Sequence, residues 1–184
     1  MILLKFFLVT VRLFLQNTIY HYNCIMISEC TKKDICKILY VINIAALKYK
    51  GIIPDDCWHE PYMTEKELIN EFANKVNMFG YKKNDKLVGV MGIQKLKDVT
   101  LIRHAYTVTN YQGEGIGKSL LRYLLEINQS SRLLVGTWQK ATWAIRFYEK
   151  NGFVLQTKKQ TVQLLKKYWK ISLNQIENSV VLKK

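Results

Sequence analysis

Apolar residues recur along the chain with two different periods, and the changes of period outline its secondary structure. Apolar side chains three or four positions apart predict amphipathic helices, whereas extended apolar runs predict strands. The helical pattern covers residues 31–48, 64–76, 116–125, 144–150 and 162–169. The extended pattern covers residues 25–30, 78–83, 86–95, 99–108, 133–137, 153–158 and 176–182. The order β-α-α-β-β-β-α-β-α-β, followed by a short helix and a last strand, predicts one mixed α/β domain.

Capping and turn residues support several of these boundaries. Thr64 and Glu67 have the S/T-x-x-E spacing of a capping box, which predicts a helix start. Asn84-Asp85 lies between two extended runs and predicts a hairpin turn. The stretch 51–63 contains both prolines of the chain, so we expect it to be irregular.

The first 25 residues lack a comparable pattern. Residues 1–15 are strongly apolar, but Lys5 and Arg12 interrupt them, and the uninterrupted run is shorter than the about 20 residues of a membrane span. No small-residue cleavage site follows, which argues against a secretory signal. We expect residues 1–25 to be an apolar extension outside a domain that spans residues 26–184. The extension is either an upstream piece of reading frame that is not translated, a segment that contacts or spans a membrane, or an added packed element.

Composition and charge narrow the class of protein. A chain of 184 residues with 49% hydrophobic residues is long enough for one globular domain with a sizeable core. The formal net charge of +14 first suggests nucleic acid as a partner. Only five basic residues are arginines, however, and the lysines are scattered in nothing longer than doublets. We therefore do not expect specific nucleic-acid binding, although the positive field would attract a smaller anionic ligand.

The cysteines predict neither a zinc site nor a disulfide framework. They form no CxxC pair, and no pair of histidines has the spacing of metal ligands. We expect no metal cofactor, and free thiols predict a reducing, cytoplasmic location. The four cysteines are Cys24, Cys30, Cys36 and Cys57.

A glycine-rich turn between the strand at 99–108 and the helix after it carries the strongest chemical signal. It reads Gln112-Gly113-Glu114-Gly115-Ile116-Gly117. Glycines let the backbone approach a phosphate, and the first N–H groups of a helix lack an intrahelical partner, so this turn predicts an anion site. Its spacing matches neither the GxxxxGK[ST] of nucleotide-binding P-loops nor the GxGxxG of dinucleotide-binding folds.

A second pattern follows further along the chain. In Ala144-Ile145-Arg146-Phe147-Tyr148-Glu149-Lys150-Asn151-Gly152-Phe153, the first alanine, Phe147 and Tyr148 lie on one helical face, and Asn151-Gly152 ends the helix. The two patterns occur in order with the strand 133–137 between them. Together, Q-x-x-G-x-G and A-x-x-F-Y-x-x-x-G-F resemble the two signatures of the GCN5-related N-acetyltransferase (GNAT) family. The resemblance covers roughly residues 25–182.

This resemblance implies a fold, a co-substrate and a reaction. The fold would be the family's α/β fold, a central, mostly antiparallel, twisted sheet flanked by helices. The reaction would transfer an acetyl group from acetyl-coenzyme A (acetyl-CoA) to a primary amine, which attacks the thioester directly. The residues implied to bind the coenzyme are Tyr106, Thr107, Val108, Gln112, Gly113, Glu114, Gly115, Ile116, Gly117 and Lys118.

Three side chains are candidates for the proton transfers that the reaction requires. A lysine-like amine has a pKa of about 10.4, so it must lose a proton before it attacks. Tyr148 occupies the position where family members often carry a tyrosine that protonates the departing thiolate; alternatively, it orients the coenzyme or packs. His104 is either the base, since histidine ordinarily titrates at about pH 6.5, or a structural residue bonded across the sheet. Glu60 could take a proton, or hold a cationic acceptor.

One position departs from the family's pattern. Ala141 stands where many members carry an asparagine that helps to hold the pantetheine arm of the coenzyme. The departure weakens the case for a side-chain contact there but leaves the backbone donors of the turn unaffected. Trp138 and Trp143 either line the pantetheine channel or pack in the core.

The sequence therefore predicts an acetyl-CoA-dependent N-acetyltransferase with acetyl-CoA and an amine-bearing acceptor as its partners. It does not indicate the acceptor, the oligomeric state or the identity of the base. A catalytically degenerate acyl-CoA-binding sensor, which keeps the turn and lacks turnover, is the main alternative. A nucleic-acid-binding protein that uses its positive charge is a second one.

Overall fold

A computed structural model of the chain describes residues 27–128 and 130–184, and the expectations for residues 1–25 lie outside this part. Its seven strands form one sheet with the order β1-β2-β3-β4-β5-β7-β6. Strands β4 and β5 are parallel, and all other neighbours are antiparallel. The strands are β1 (Ile27–Glu29), β2 (Val76–Lys83), β3 (Lys86–Lys95), β4 (Thr100–Thr107), β5 (Leu133–Trp138), β6 (Val154–Leu155) and β7 (Ser179–Lys183). The predicted mixed, mostly antiparallel sheet is confirmed.

Six α-helices accompany the sheet in the described part of the chain. None of them is long and apolar enough to cross a membrane. A single 3₁₀ turn precedes the first helix, and another follows it. The helices are α1 (Ile35–Ala46), α2 (Glu65–Ala73), α3 (Ile116–Ile127), α4 (Thr142–Lys150), α5 (Lys158–Tyr168) and α6 (Leu173–Glu177).

The helices cover both faces of the sheet, because successive strand residues point to opposite sides. On one face, α3 and α4 pack on a cluster that includes Leu120, Met91 and Val135. On the other face, α1 and α2 pack around Ile38 and Val90. Helices α5 and α6 cover the same face further along, where their Leu165 and Ile176 pack on Leu101, Leu134 and Val181 of β4, β5 and β7.

Local sequence signals fix several of these elements as predicted. Thr64 and Glu67 form both hydrogen bonds of a capping box at the start of α2. Asn84 and Asp85 join β2 to β3 with φ angles of 49° and 60°, as a two-residue hairpin turn requires. Gly152 ends α4 with a φ of 83°, where glycine is favoured because it lacks a Cβ.

The prediction was wrong over the segment after α4. The strand expected at 153–158 is limited to Val154–Leu155, and the last strand begins at Ser179 rather than at residue 176. Thr157 and Gln160 form a capping box that starts α5 earlier than expected. The Ser172 side chain accepts from the Gln175 N–H and starts α6, which occupies the region assigned to the strand.

A bulge in β4 changes the course of the strand. Val90 pairs with Tyr106 and Gly92 pairs with Arg103. Two residues of β4, His104 and Ala105, therefore lie opposite the single residue Met91 of β3. His104 has a φ of 50°, an uncommon value for a residue with a side chain. At Gly92, a Cβ would lie 3.1 Å from the Arg103 carbonyl oxygen, so glycine allows the close approach of β3 to the bulge.

Beyond the start of the bulge, β4 no longer pairs with β5. The two strands pair at Thr100 with Leu133, Leu101 with Leu134 and Ile102 with Val135. Both strands continue past these positions without further pairing, to Thr107 and Trp138. The sheet therefore opens between the carboxyl ends of its two parallel strands.

Candidate functional site

The glycine turn between β4 and α3 has a backbone that favours glycine. Gly113 and Gly115 have φ angles of 87° and 81°, in the left-handed region where a Cβ is strained. The Gln112 side-chain amide donates to the Thr107 carbonyl at 3.0 Å and so closes the turn onto the strand. Gly115 is the N-cap residue of α3, and the helical ladder begins with the Ser119 N–H donating to its carbonyl.

The first N–H groups of α3 remain available to a ligand. Those of Ile116, Gly117 and Lys118 have no acceptor among the hydrogen bonds of the described residues. Such donors, together with the positive end of the helix dipole, attract an anion. The turn is therefore suited to a phosphate, as its sequence predicts.

A cleft of about 430 Å³ opens at this turn. Its walls come from the end of β4, the start of α3 and one face of α4, and Lys48 and Lys118 are the charged residues among its described lining. The Lys48 Nζ also lies 4.5 Å from the centroid of the Trp143 ring, a cation–π contact. A cleft with lysines and no carboxylate in its described lining favours an anionic ligand.

Most of the residues predicted to bind the coenzyme line this cleft. They are Tyr106, Thr107, Gln112, Gly113, Gly115, Ile116, Gly117 and Lys118. Val108 and Glu114 are not among the lining residues. The Val108 N–H donates to the Val88 carbonyl at 2.9 Å, and the Glu114 carboxylate accepts from Lys83 at 2.6 Å. These two residues thus support the strand and the turn.

A second cavity, of about 390 Å³, lies on the α1–α2 face of the sheet. It contains two carboxylates from α2, Glu67 and Glu71, and two imidazoles, His59 and His104. It meets the first cleft where β4 and β5 separate. The residues that line both are Tyr49, Ala105, Tyr106, Ala144 and Tyr148.

Three tyrosines surround the junction of the two cavities. Tyr148 is 4% exposed, and its ring lies edge-to-face with Phe147 at 5.0 Å between centroids. Burial, and then the neighbouring Tyr49, raise the pKa of Tyr148 above its ordinary value of 10.0. Burial also raises the pKa of Tyr106, and it raises that of Tyr49 to about 12. All three phenols are therefore protonated at neutral pH and are potential proton donors.

His104 has a carboxylate partner. Its Nε2 lies 3.0 Å from the Glu71 Oε2. Arg103 donates to the Glu71 Oε1 at 2.9 Å and to the Gln94 side chain at 2.7 Å. Burial acts to raise the pKa of Glu71, but the neighbouring His104 and Arg103 outweigh it and lower that pKa. The ionised carboxylate can therefore hold the imidazole ring at the cavity wall.

Glu60 lies apart from the other candidates. Its carboxylate accepts from the Lys50 Nζ at 2.6 Å and from the Trp58 Nε1 at 3.4 Å. The hydrogen bond from Lys50 lowers the pKa of this exposed carboxyl group. Glu60 lines neither cavity, so the structure brings Tyr148 and His104 to the site but not Glu60. Its acid–base role stays a prediction.

Sequence reasoning did not identify Tyr49 or Glu71 as candidate site residues. A signal for Glu71 was present, because Glu67 and Glu71 are four residues apart and so share a face of α2. Tyr49 comes from the 3₁₀ turn after α1, and its sequence offers no comparable sign. Of the two tryptophans with open assignments, Trp143 lines the first cleft and Trp138 lines the second cavity.

Comparison with known proteins identifies the class of domain. Residues 74–155 match a family model described as an acetyltransferase (GNAT) domain. The predicted resemblance to the GNAT family is thereby confirmed over this region of the chain. Both signature patterns fall within the matched region.

Solved structures support the same fold over most of the chain. The PaiA N-acetyltransferase of Thermoplasma acidophilum, crystallised with coenzyme A, is 18% identical with a TM-score of 0.66, and the match covers 86% of this chain and 96% of that one. A GNAT-family acetyltransferase of Staphylococcus aureus Mu50 is 18% identical, with a TM-score of 0.64 and coverage of 86% and 96%. The ribosomal-protein-S18-alanine N-acetyltransferase of Escherichia coli is 18% identical, with a TM-score of 0.60 and coverage of 85% and 90%. At this level of identity, the likeness establishes the fold.

Proposed function

We propose that the protein transfers the acetyl group of acetyl-CoA to a primary amine. The observation that carries the proposal is the junction of two cavities at the opening between β4 and β5. One cavity begins at a turn suited to phosphate, and the other contains an imidazole with a carboxylate partner. A thioester held in the first would meet an amine held in the second beside Tyr148.

The first cleft fits the coenzyme in charge and in backbone donors. The N–H groups of Ile116, Gly117 and Lys118 would hold the pyrophosphate, since they lack acceptors among the described residues. Lys48 and Lys118 add positive charge. The complex of the T. acidophilum acetyltransferase with coenzyme A supports the same co-substrate for this chain.

The residues around the junction provide the two proton transfers of an amide-forming reaction. We assign the general base to His104, whose Nε2 lies 3.0 Å from the Glu71 Oε2: in the tautomer with the proton on Nε2, Nδ1 would accept the amine proton, directly or through water. The amine nitrogen then attacks the thioester carbonyl, and the carbon–sulfur bond breaks as the amide forms. Tyr148 would give its proton to the departing thiolate. Each unit by which the pKa of Tyr148 exceeds that of the thiol adds about 1.4 kcal/mol to this proton transfer. Water then returns a proton to the tyrosine and completes the step.

Two measurements test this proposal. Calorimetry with acetyl-CoA measures binding at the turn, and thiol-reactive detection of coenzyme A measures turnover with a broad panel of primary amines. We expect micromolar binding, as is common for enzyme substrates, and coenzyme A release that depends on an amine. Binding without release for every amine would instead support the acyl-CoA sensor. An absence of binding would contradict both functions. A cytoplasmic location stays a prediction.

A further inference from the structure

Two separate segments of the chain enclose the second cavity. The first wall comprises the irregular stretch 51–63 together with α2, and it contributes Cys57, Tyr62 and Glu67 among others. The second wall comprises α5, α6 and the residues between them, and it contributes Trp169, Ile171 and Gln175 among others. Both walls stand on the same face of the sheet, with the opening between β4 and β5 beneath them.

A charged hydrogen bond joins the two walls next to the cavity. The Asn174 Nδ2 donates to the two carboxylate oxygens of Asp56 at 2.7 and 2.8 Å. Asn178 donates to the Asn174 Oδ1 at 2.8 Å, which fixes the orientation of that amide. Asp56 precedes Cys57 and Asn174 precedes Gln175, and both of these neighbours line the cavity. The contact therefore holds the edges of the walls together.

Each wall is also tied to the core of the domain. The Asn43 side chain forms two hydrogen bonds with the Met63 backbone, at 2.8 and 3.0 Å, which attach the first wall to α1. In the second wall, the Trp169 ring lies 3.5 Å from where a Cβ of Gly136 would be, against β5. The Trp138 Nε1 donates to the Tyr62 hydroxyl at 3.4 Å and links the floor to the first wall. The cavity is thus built from fixed parts.

The size and the lining of the cavity restrict what it can hold. A volume of about 390 Å³ corresponds to roughly a dozen water molecules at about 30 Å³ each. Its two carboxylates already have partners, since Glu71 contacts Arg103 and Glu67 lies 3.8 Å from His59, and Lys170 is a further charged residue of the lining. The remaining lining is mixed: the rings of Tyr49, Tyr62, Trp138 and Trp169 lie beside aliphatic residues and polar ones such as Thr137 and Gln175. Such a site favours a small amine with an apolar part that packs on these rings.

We propose that the acceptor is a small free amine enclosed between the two walls, rather than the terminus or a lysine of a protein. This inference rests on the proposed function and adds the class of acceptor to it. The contact between Asp56 and Asn174 closes one edge of the cavity and so leaves less room for a chain that continues out of it, as a polypeptide acceptor does. A small amine fits inside with this contact intact, and its apolar body replaces water against the aromatic rings.

The comparison of small amines with peptides tests the inference directly. Phenethylamine and benzylamine are assayed beside short peptides with a free N-terminus or an internal lysine, and acetylated products are measured by mass spectrometry. We expect kcat/KM for the better small amine to exceed that for any peptide by at least about 100-fold, a ratio typical of a shaped pocket. Peptides that react as well as the small amines would overturn the inference and leave the proposed function standing. If neither class releases coenzyme A from bound acetyl-CoA, the proposed function fails, and the inference fails with it.

Substitution of Asn174 tests the role of the contact between the walls. Asn174→Ala should raise KM for the small amine about 10-fold, the value of one hydrogen bond to a charged group, with acetyl-CoA affinity unchanged. Asp56→Ala should have the same effect, and the double variant should be no worse than either single variant. Gln163→Ala, on the exposed face of α5, is the matched control and should behave as the wild type. An unchanged KM in a folded Asn174→Ala variant would overturn the role of this contact.

Discussion

At the scale of single residues, the surroundings of the candidate acid and base differ in kind. Tyr148 is surrounded by aromatic rings, and burial is the first cause of its raised pKa. His104 contacts an ionised carboxylate that Arg103 also holds. A low-polarity environment keeps a phenol protonated, whereas a carboxylate stabilises the imidazolium that a base becomes. The carboxylate therefore favours the role proposed for His104, whereas burial keeps Tyr148 protonated but makes it a weaker acid.

Replacement of Tyr148 by Phe removes the proton donor and keeps the ring. We expect acetyl-CoA affinity to be unchanged, because the contacts with Phe147 and Phe153 survive. The turnover number should fall by about 10²–10⁴, the usual contribution of a general acid. Single-turnover kinetics should show the same loss, since they exclude product release as the limiting step. Full single-turnover activity would remove Tyr148 from the mechanism.

Replacement of Glu71 by Gln removes the charge beside His104 and keeps the size of the side chain. The ionised carboxylate no longer holds the imidazole ring, so the proposed base should be less well positioned. We expect kcat/KM to fall at least about 10-fold, the value of one hydrogen bond to a charged group, with acetyl-CoA affinity unchanged. Glu65→Gln, at an exposed position of the same helix, is the control and should behave as the wild type. An unchanged kcat/KM in Glu71→Gln would mean that Glu71 does not act on the base.

At the scale of elements, the sequence predicted best the features that depend on residues close together in the chain. The capping box of Thr64 and the hairpin turn at Asn84 involve residues close in sequence, and both are as predicted. Strand β6 was predicted too long, and helix α6 was missed, because neither has a long periodic pattern. The bulge at His104 depends on pairing with Met91, a residue of another strand, so the sequence of β4 by itself does not indicate it.

The start of α3 allows a graded test of coenzyme binding. A Cβ at Gly117 would lie 3.6 Å from the Phe147 ring, an ordinary contact, and the position lacks the left-handed φ of Gly113 and Gly115. Gly117→Ala should therefore fold and keep most of the acetyl-CoA affinity. Gly117→Val should also fold, but its branches would occupy the space beside the free N–H groups and weaken binding at least about 10-fold, or about 1.4 kcal/mol. Calorimetry on both variants measures the difference, and equal affinities would contradict the proposed pyrophosphate site.

At the scale of the whole molecule, the two cavities differ in how far the sequence could predict them. The coenzyme cleft follows from one continuous turn and the helix face of the second signature, so its residues were largely identified. The second cavity is assembled from α2, the stretch 51–63, β4, β5 and the α5–α6 segment. Side chains that are distant in sequence become neighbours there only through the packing of the fold, which single-sequence patterns do not reveal.

The described residues also lead to a prediction about the extent of the domain. The part of the chain that the structure describes, residues 27–128 and 130–184, already contains a seven-stranded sheet and two lined cavities. We expect a chain that begins at Met26 to fold and bind acetyl-CoA as the full chain does. Its melting temperature and calorimetric affinity, measured beside those of the full chain, check this. Insolubility or a clearly lower melting temperature would show that residues 1–25 belong to the fold.

The brief pairing of β4 with β5 has a consequence for the dynamics of the sheet. Three residue pairs join the half formed by β1–β4 to the half formed by β5–β7, whereas eight pairs join β2 to β3 in the first half and five join β5 to β7 in the second. The halves can act as separate cooperative units, so amides that donate between β4 and β5 should exchange with deuterium sooner than those between β2 and β3. Helix α3 belongs to the first half and α4 to the second, and the coenzyme cleft lies between them. A bound acetyl-CoA would contact both units and slow this exchange, so that the ligand itself would hold the sheet together.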